Sequence, residues 1–122
     1  MKIAFIMALI LTCAAQAKPP EGYRLAWSDE FDGTTLDTNK WLYRLDSNWN
    51  STQQAQNITV QDGKLRIALK QEQARGKSYT GGGIISKRNF GYGYYEARFK
   101  VPATQGWHTS FWMSSYDEQN PN

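Results

Sequence analysis

Eight consecutive residues, Tyr94 to Val101, alternate in side-chain character without a slip. A period of two fits a pleated strand and does not fit a helix. The pattern predicts a half-buried β-strand. Tyr95, Ala97, Phe99 and Val101 form the side turned to a core. Tyr94, Glu96, Arg98 and Lys100 form the other, and Trp107 and Trp112 follow close behind. Sugar hydroxyls need charged or amide hydrogen-bond partners, and pyranose C–H faces pack on flat aromatic rings. A face of this composition therefore suits carbohydrate. The plainer alternative is a half-exposed strand with solvated charges, and alternation alone does not separate the two.

Other short extended signals flank it. Tyr23–Trp27 reads as an edge strand. Ser28–Gly33 and Leu36–Trp41 read as turns, and residues 46–57, polar and amide-rich, as a loop. Ile58 and Val60 alternate, Asp62-Gly63 suits a two-residue type I′ turn, and Leu65, Ile67 and Leu69 alternate again, which predicts a β-hairpin. Gln71–Ser78 reads as a charged loop. Gly81-Gly82-Gly83 precedes the apolar pair Ile84-Ile85, Phe90–Gly93 marks a turn, and Thr109–Met113 reads as a strand. No long segment after residue 17 has a helical period. The expected fold is all-β, an antiparallel β-sandwich.

Composition narrows the function classes. Lys2, the apolar run Ile3–Leu11 and Ala15-Gln16-Ala17 have the order of a secretory signal, so the expectation is a signal at 1–17, a linker at 18–22 and a secreted (extracellular or periplasmic) domain at 23–122. The apolar run is far short of the roughly 20 residues that cross a bilayer, so no membrane partner is expected after cleavage. Cys13 is the only cysteine and falls within the signal, so the expected domain is held by its core or a metal rather than by disulfides. A net charge of +3 spread along the chain is too weak for a nucleic-acid partner. One histidine, His108, gives no zinc ligand set. Aromatic residues make up 14% of the chain and five are tryptophans, more than a core of this size needs.

The ordered set Ser28-Asp-Glu-Phe-Asp-Gly33, Leu36-Asp37, Trp41, Asn57–Ile67, Gly83–Ser86, Phe90–Lys100, Gly106-Trp107 and Phe111-Trp112-Met113 resembles glycoside hydrolase family 16, which includes laminarinases, lichenases, agarases, porphyranases and carrageenases. The resemblance covers Tyr23 to Met113. It implies a concanavalin A-like jelly roll with a polysaccharide cleft on its concave sheet, and a retaining endo-hydrolase whose two carboxylates lie about 5–5.5 Å apart. The family carries these on one strand as Glu-x-Asp-x-x-Glu. That motif does not occur in this chain: Asp117-Glu118 is adjacent rather than alternate, and Glu30-Phe-Asp32 is followed by Thr35 where the second Glu belongs. No catalytic residue is assigned. The expectation is the N-terminal, incomplete part of such a domain, itself inactive.

The resemblance assigns binding residues instead. Glu96 and Arg98 match positions that hydrogen-bond sugar units on the non-reducing side of the cut. Trp107 and Trp112 match cleft aromatics that stack on sugar, and Asn50 or Asn48 a cleft asparagine; Tyr94 shares the side of Glu96. No cofactor is required. Gly63 and Glu30 fall where some members hold a structural Ca²⁺, partly through backbone oxygens. The sequence Trp107-His-Thr-Ser-Phe-Trp-Met113 lacks the proline of the laminarinase pattern, which weakens an assignment to β-1,3-glucan. Asn50-Ser-Thr52 and Asn57-Ile-Thr59 match glycan acceptor sequons. The alternative reading is a lectin-like, non-catalytic jelly-roll module. It would bind a polysaccharide and leave it intact, with the carboxylate motif absent from the whole gene.

Overall fold

The computed structural model describes residues 18–114; the expected signal segment 1–17 and the pair Asp117-Glu118 lie outside them. Among the described residues the chain is all-β, with eight short strands and one 3₁₀ turn at Ala55–Asn57. β1 (Trp41–Tyr43) pairs antiparallel with β8 (Ile84–Ser86). β2 (Ser47–Asn48), β3 (Ser51–Gln53), β7 (Lys77–Gly81) and β6 (Lys70–Ala74) form a four-stranded sheet in the order β2-β3-β7-β6. β4 (Ile58–Val60) and β5 (Leu65–Ile67) form a hairpin. All pairings are antiparallel except β3–β7, which is parallel because the chain crosses over between them through the 3₁₀ turn, β4, β5 and β6.

The β4–β5 hairpin is built as its sequence predicts. Ile58 faces Ile67 and Val60 faces Leu65, and Gln61 and Lys64 exchange both backbone hydrogen bonds around the turn. Asp62 and Gly63 take φ of 54° and 64°, the two positive values a type I′ turn requires. Ile58 and Val60 point inward and, with Leu36, form the buried core; Phe31, Trp41, Tyr43, Leu65 and Ile84 pack on it.

Two segments expected as loops are strands. Residues 46–57 contain β2, β3 and the 3₁₀ turn, and 71–78 form most of the β6–β7 hairpin. The second hairpin turns on Arg75 and Gly76, both at positive φ (50° and 72°). Polar residues fill these strands, and the backbone ladder rather than an apolar face holds them. Conversely, Tyr23–Trp27, Tyr94–Val101 and Thr109–Met113 form no strand. Alternation sets the two sides of a strand but does not supply a pairing neighbour. Phe99 and Val101, expected on the core side, are 59% and 52% exposed.

Gly82 is a close-packing point. A Cβ there would stand 2.6 Å from Ile58 Cδ1 and 3.2 Å from Ile67 Cγ2. Gly82→Ala therefore overfills the core, at a cost of about 1–3 kcal/mol. Hydrogen exchange of the Ile58 and Val60 amides should accelerate accordingly; unchanged rates would show that the core yields without cost.

Candidate carbohydrate-binding surface

Tyr79, on β7, donates its backbone N–H to the Asn50 carbonyl at 3.2 Å. Its ring meets Trp107 edge to face, with centroids 5.8 Å apart and planes at 88°. Trp107 is half-buried as a result. The structure thus joins Asn50 and Trp107, far apart in sequence, to one tyrosine, Asn50 at its backbone and Trp107 at its ring. Tyr79 carries no local sequence signal for this role. Its place follows from the β3–β7 pairing, in which it lies opposite Ser51.

Trp112 is the ring of a second group. The Arg44 guanidinium carbon stands 5.6 Å from its centroid, within cation–π range. Arg44 follows β1. Its backbone N–H donates to the Gly83 carbonyl, and its aliphatic stem lies over Gly83, where a Cβ would meet Arg44 carbons at 3.2 Å. The guanidinium is forked onto Asp46, Nε to Oδ1 at 2.6 Å and Nη2 to Oδ2 at 2.7 Å. This bidentate pair fixes the cation against a ring that stays 59% exposed. Phe111 and Met113 are exposed as well, at 54% and 64%, so burial does not alternate along this segment.

Tyr94 and Glu96 form the third group. The Tyr94 hydroxyl donates to Glu96 Oε2 at 3.0 Å, which places the two side chains on one side as the i, i+2 spacing predicts. Tyr23 packs edge to face on Tyr94 at 6.0 Å. Arg98 is exposed. The hydrogen bond to Glu96 raises the Tyr94 pKa above its ordinary value of 10.0, with slight removal from water and the Glu96 charge acting in the same direction. Since the raised value belongs to the folded chain, the bond is present below the ordinary tyrosine pKa and is lost as pH rises through the raised one. Ultraviolet titration of Glu96→Gln should show one phenol ionising at lower pH than in the unsubstituted chain. An unchanged titration curve would show that the bond does not form in solution.

Gly63 and Glu30 also come together. A Cβ on Gly63 would stand 3.7 Å from Asp32 Oδ1 and 4.0 Å from the Glu30 carbonyl oxygen. The Glu30 backbone and the Asp32 carboxylate are hard donors of the kind Ca²⁺ takes, though that ion needs six to eight oxygens. Among the described residues no group of three or more His, Cys, Asp or Glu side chains is placed to hold a metal. The two sequons differ in exposure. Asn50 is exposed, whereas Asn57 is 1% exposed with its amide bonded inside the sheet, so the folded chain offers no glycan acceptor there. No described helix is long and apolar enough to cross a membrane.

Comparison with known proteins gives a consistent set of relatives. The family described as Beta-porphyranase A-D, GH16 domain, matches residues 24–122. Glucan endo-1,3-beta-glucosidase A1 of Niallia circulans is 34% identical over 79% of the chain and 18% of its own length. Beta-porphyranase E of Zobellia galactanivorans is 35% identical over 79% of the chain and 38% of its own length. Beta-porphyranase D of the same organism is 38% identical over 80% of the chain and 27% of its own length. The chain therefore spans well under half the length of these relatives. No solved structure matches it.

Proposed function

The chain belongs to glycoside hydrolase family 16, and on that premise we propose that the whole protein is a secreted, retaining endo-glycosidase acting on a β-linked polysaccharide. The candidate substrates are a β-1,3- or β-1,3-1,4-glucan, or a galactan. In this reading residues 18–114 supply binding surface rather than the cutting pair. The observation that carries it is the joining of aromatic rings to fixed polar groups: Trp107 on Tyr79 beside Asn50, and Trp112 on the Asp46-held Arg44. Rings of this kind take pyranose C–H faces, while Glu96, Arg98 and the Asn50 amide take hydroxyls. Retaining hydrolysis needs two carboxylates about 5–5.5 Å apart, one as nucleophile and one as acid then base. The sequence has no Glu-x-Asp-x-x-Glu to supply them.

Secretion rests on the Lys2–Ala17 signal pattern, and the partner is a polysaccharide with neither nucleic acid nor membrane involved. A structural Ca²⁺ near Gly63, the Glu30 carbonyl and Asp32 is a subsidiary part of the proposal, with the remaining ligand positions left to water.

Electrophoresis of the 122-residue chain through gels containing laminarin, lichenan, agarose or porphyran tests the reading. Retardation in at least one gel, with no new reducing ends in the polymer, is the expected result. Release of reducing ends would overturn the assignment of binding without cutting. Unaltered mobility in every gel would overturn the binding surface itself.

A further inference from the structure

Trp49 is 85% exposed and occupies the tip of the β2–β3 hairpin at φ 48°. A bulky residue in the left-handed region is costly and persists only where its surroundings impose the conformation. The surroundings here are specific. Three alternate residues of the β6–β7 hairpin reach three carbonyls around Trp49, two in its turn and one, Leu45, ahead of β2. Arg75 Nη1 donates to the Leu45 carbonyl at 2.7 Å, Lys77 Nζ donates to the Trp49 carbonyl, and the Tyr79 N–H donates to the Asn50 carbonyl at 3.2 Å. Arg75 is itself aimed by its own positive φ in the turn. The third rung, Tyr79, is the residue whose ring holds Trp107.

We propose that Trp49 is a sugar-stacking platform continuous with Asn50 and Trp107, and that Arg75 and Lys77 are positioning residues that fix it. This rests on the polysaccharide-binding reading above. An exposed indole on a turn tied at its own carbonyl and at the next one, Asn50, loses little freedom on meeting a ligand, which favours binding. The ligand class is a β-linked polysaccharide offering an apolar pyranose face. Each cation donates to a backbone carbonyl of the segment that carries Trp49, and through that bond it acts on the loop.

The test is affinity electrophoresis of the 122-residue chain in the polysaccharide gel that retards it most. Trp49→Ala should weaken retardation at least fivefold, as should the double variant Arg75→Met with Lys77→Met. Lys77→Arg, which retains a donor, should restore most of the loss caused by Lys77→Met. In the Trp49→Ala background the double variant should add little further loss, because the clamp then has no indole to position. Full retardation with Trp49→Ala would overturn the platform. An undiminished effect of the double variant in that background would reduce Arg75 and Lys77 to general structural roles and overturn the positioning claim. Loss with Trp107→Ala but not with Trp49→Ala would overturn this inference alone. An unsubstituted chain that no gel retards would overturn the polysaccharide reading and the platform together.

Discussion

Replacing Asn57 by leucine disrupts the junction between the four-stranded sheet and the β4–β5 hairpin. Asn57 is 1% exposed, and its amide Nδ2 donates both to Thr80 Oγ1 and to the Gly81 carbonyl, each at 2.9 Å. Thr80, fully buried, donates its own hydroxyl hydrogen bond to Glu72 Oε1. The Asn57 backbone carbonyl meanwhile accepts from Ala68, the residue after β5. Leucine keeps the branched shape but carries no donor, so Thr80 Oγ1 loses the N–H it accepts at a cost of about 1–3 kcal/mol, while the Gly81 carbonyl keeps only the Gln54 N–H. A lower urea midpoint by tryptophan fluorescence, with faster amide exchange along β3 and β7, is the expected outcome. Unchanged exchange on those strands would show that the network does not hold the sheets together.

The second large effect concerns binding. Trp112→Ala removes a ring that is 59% exposed and set against Arg44, so the fold loses little packing while the ligand loses a stacking face. Affinity for the retarding polysaccharide should fall by about 1–3 kcal/mol, within the range measured when aromatic anchors are truncated. Arg44→Met should lose less, since it keeps the stem over Gly83 and gives up only the cation. Unchanged affinity of the Trp112→Ala chain, with amide exchange intact, would remove this ring from the site.

The all-β class and the β4–β5 hairpin were legible in the sequence because Asp62-Gly63 sits between two alternating apolar runs and both residues accept positive φ. The β6–β7 hairpin was not. Its turn is Arg75-Gly76, and its flanks are lysine, glutamine, glutamate and serine, whose strand character comes from pairing rather than from an apolar face. The strand β3 was hidden for the same reason: Thr52 is fully buried, yet its hydroxyl accepts from Ser47, a match that only the folded hairpin reveals. Tyr94 to Val101 was the reverse case. Its pattern is clear and Tyr94 and Glu96 do share a side, but a ladder needs a neighbouring strand, and no pattern within eight residues specifies one. Of the proposed binding surface, the sequence pointed to Glu96, Arg98, Trp107, Trp112, Tyr94 and Asn50 or Asn48. Arg44 and Tyr79, which hold those rings and that loop in place, act across the β1–β8 and β3–β7 junctions and carry no local signature.

The central claim is that Trp107 and Trp112 face a glycan while Trp27 and Trp41 belong to the interior. Trp41 donates its indole N–H to Asp29 Oδ2 at 2.7 Å and meets the Trp27 ring at 5.1 Å. Each indole gives one N–H signal in a nitrogen–proton correlation spectrum, so titration with oligosaccharides from the retarding polysaccharide reads all four directly. The signals of Trp107 and Trp112 should shift with saturation while those of Trp27 and Trp41 stay in place. Shifts confined to Trp27 and Trp41, or none in any of the four, would contradict the account.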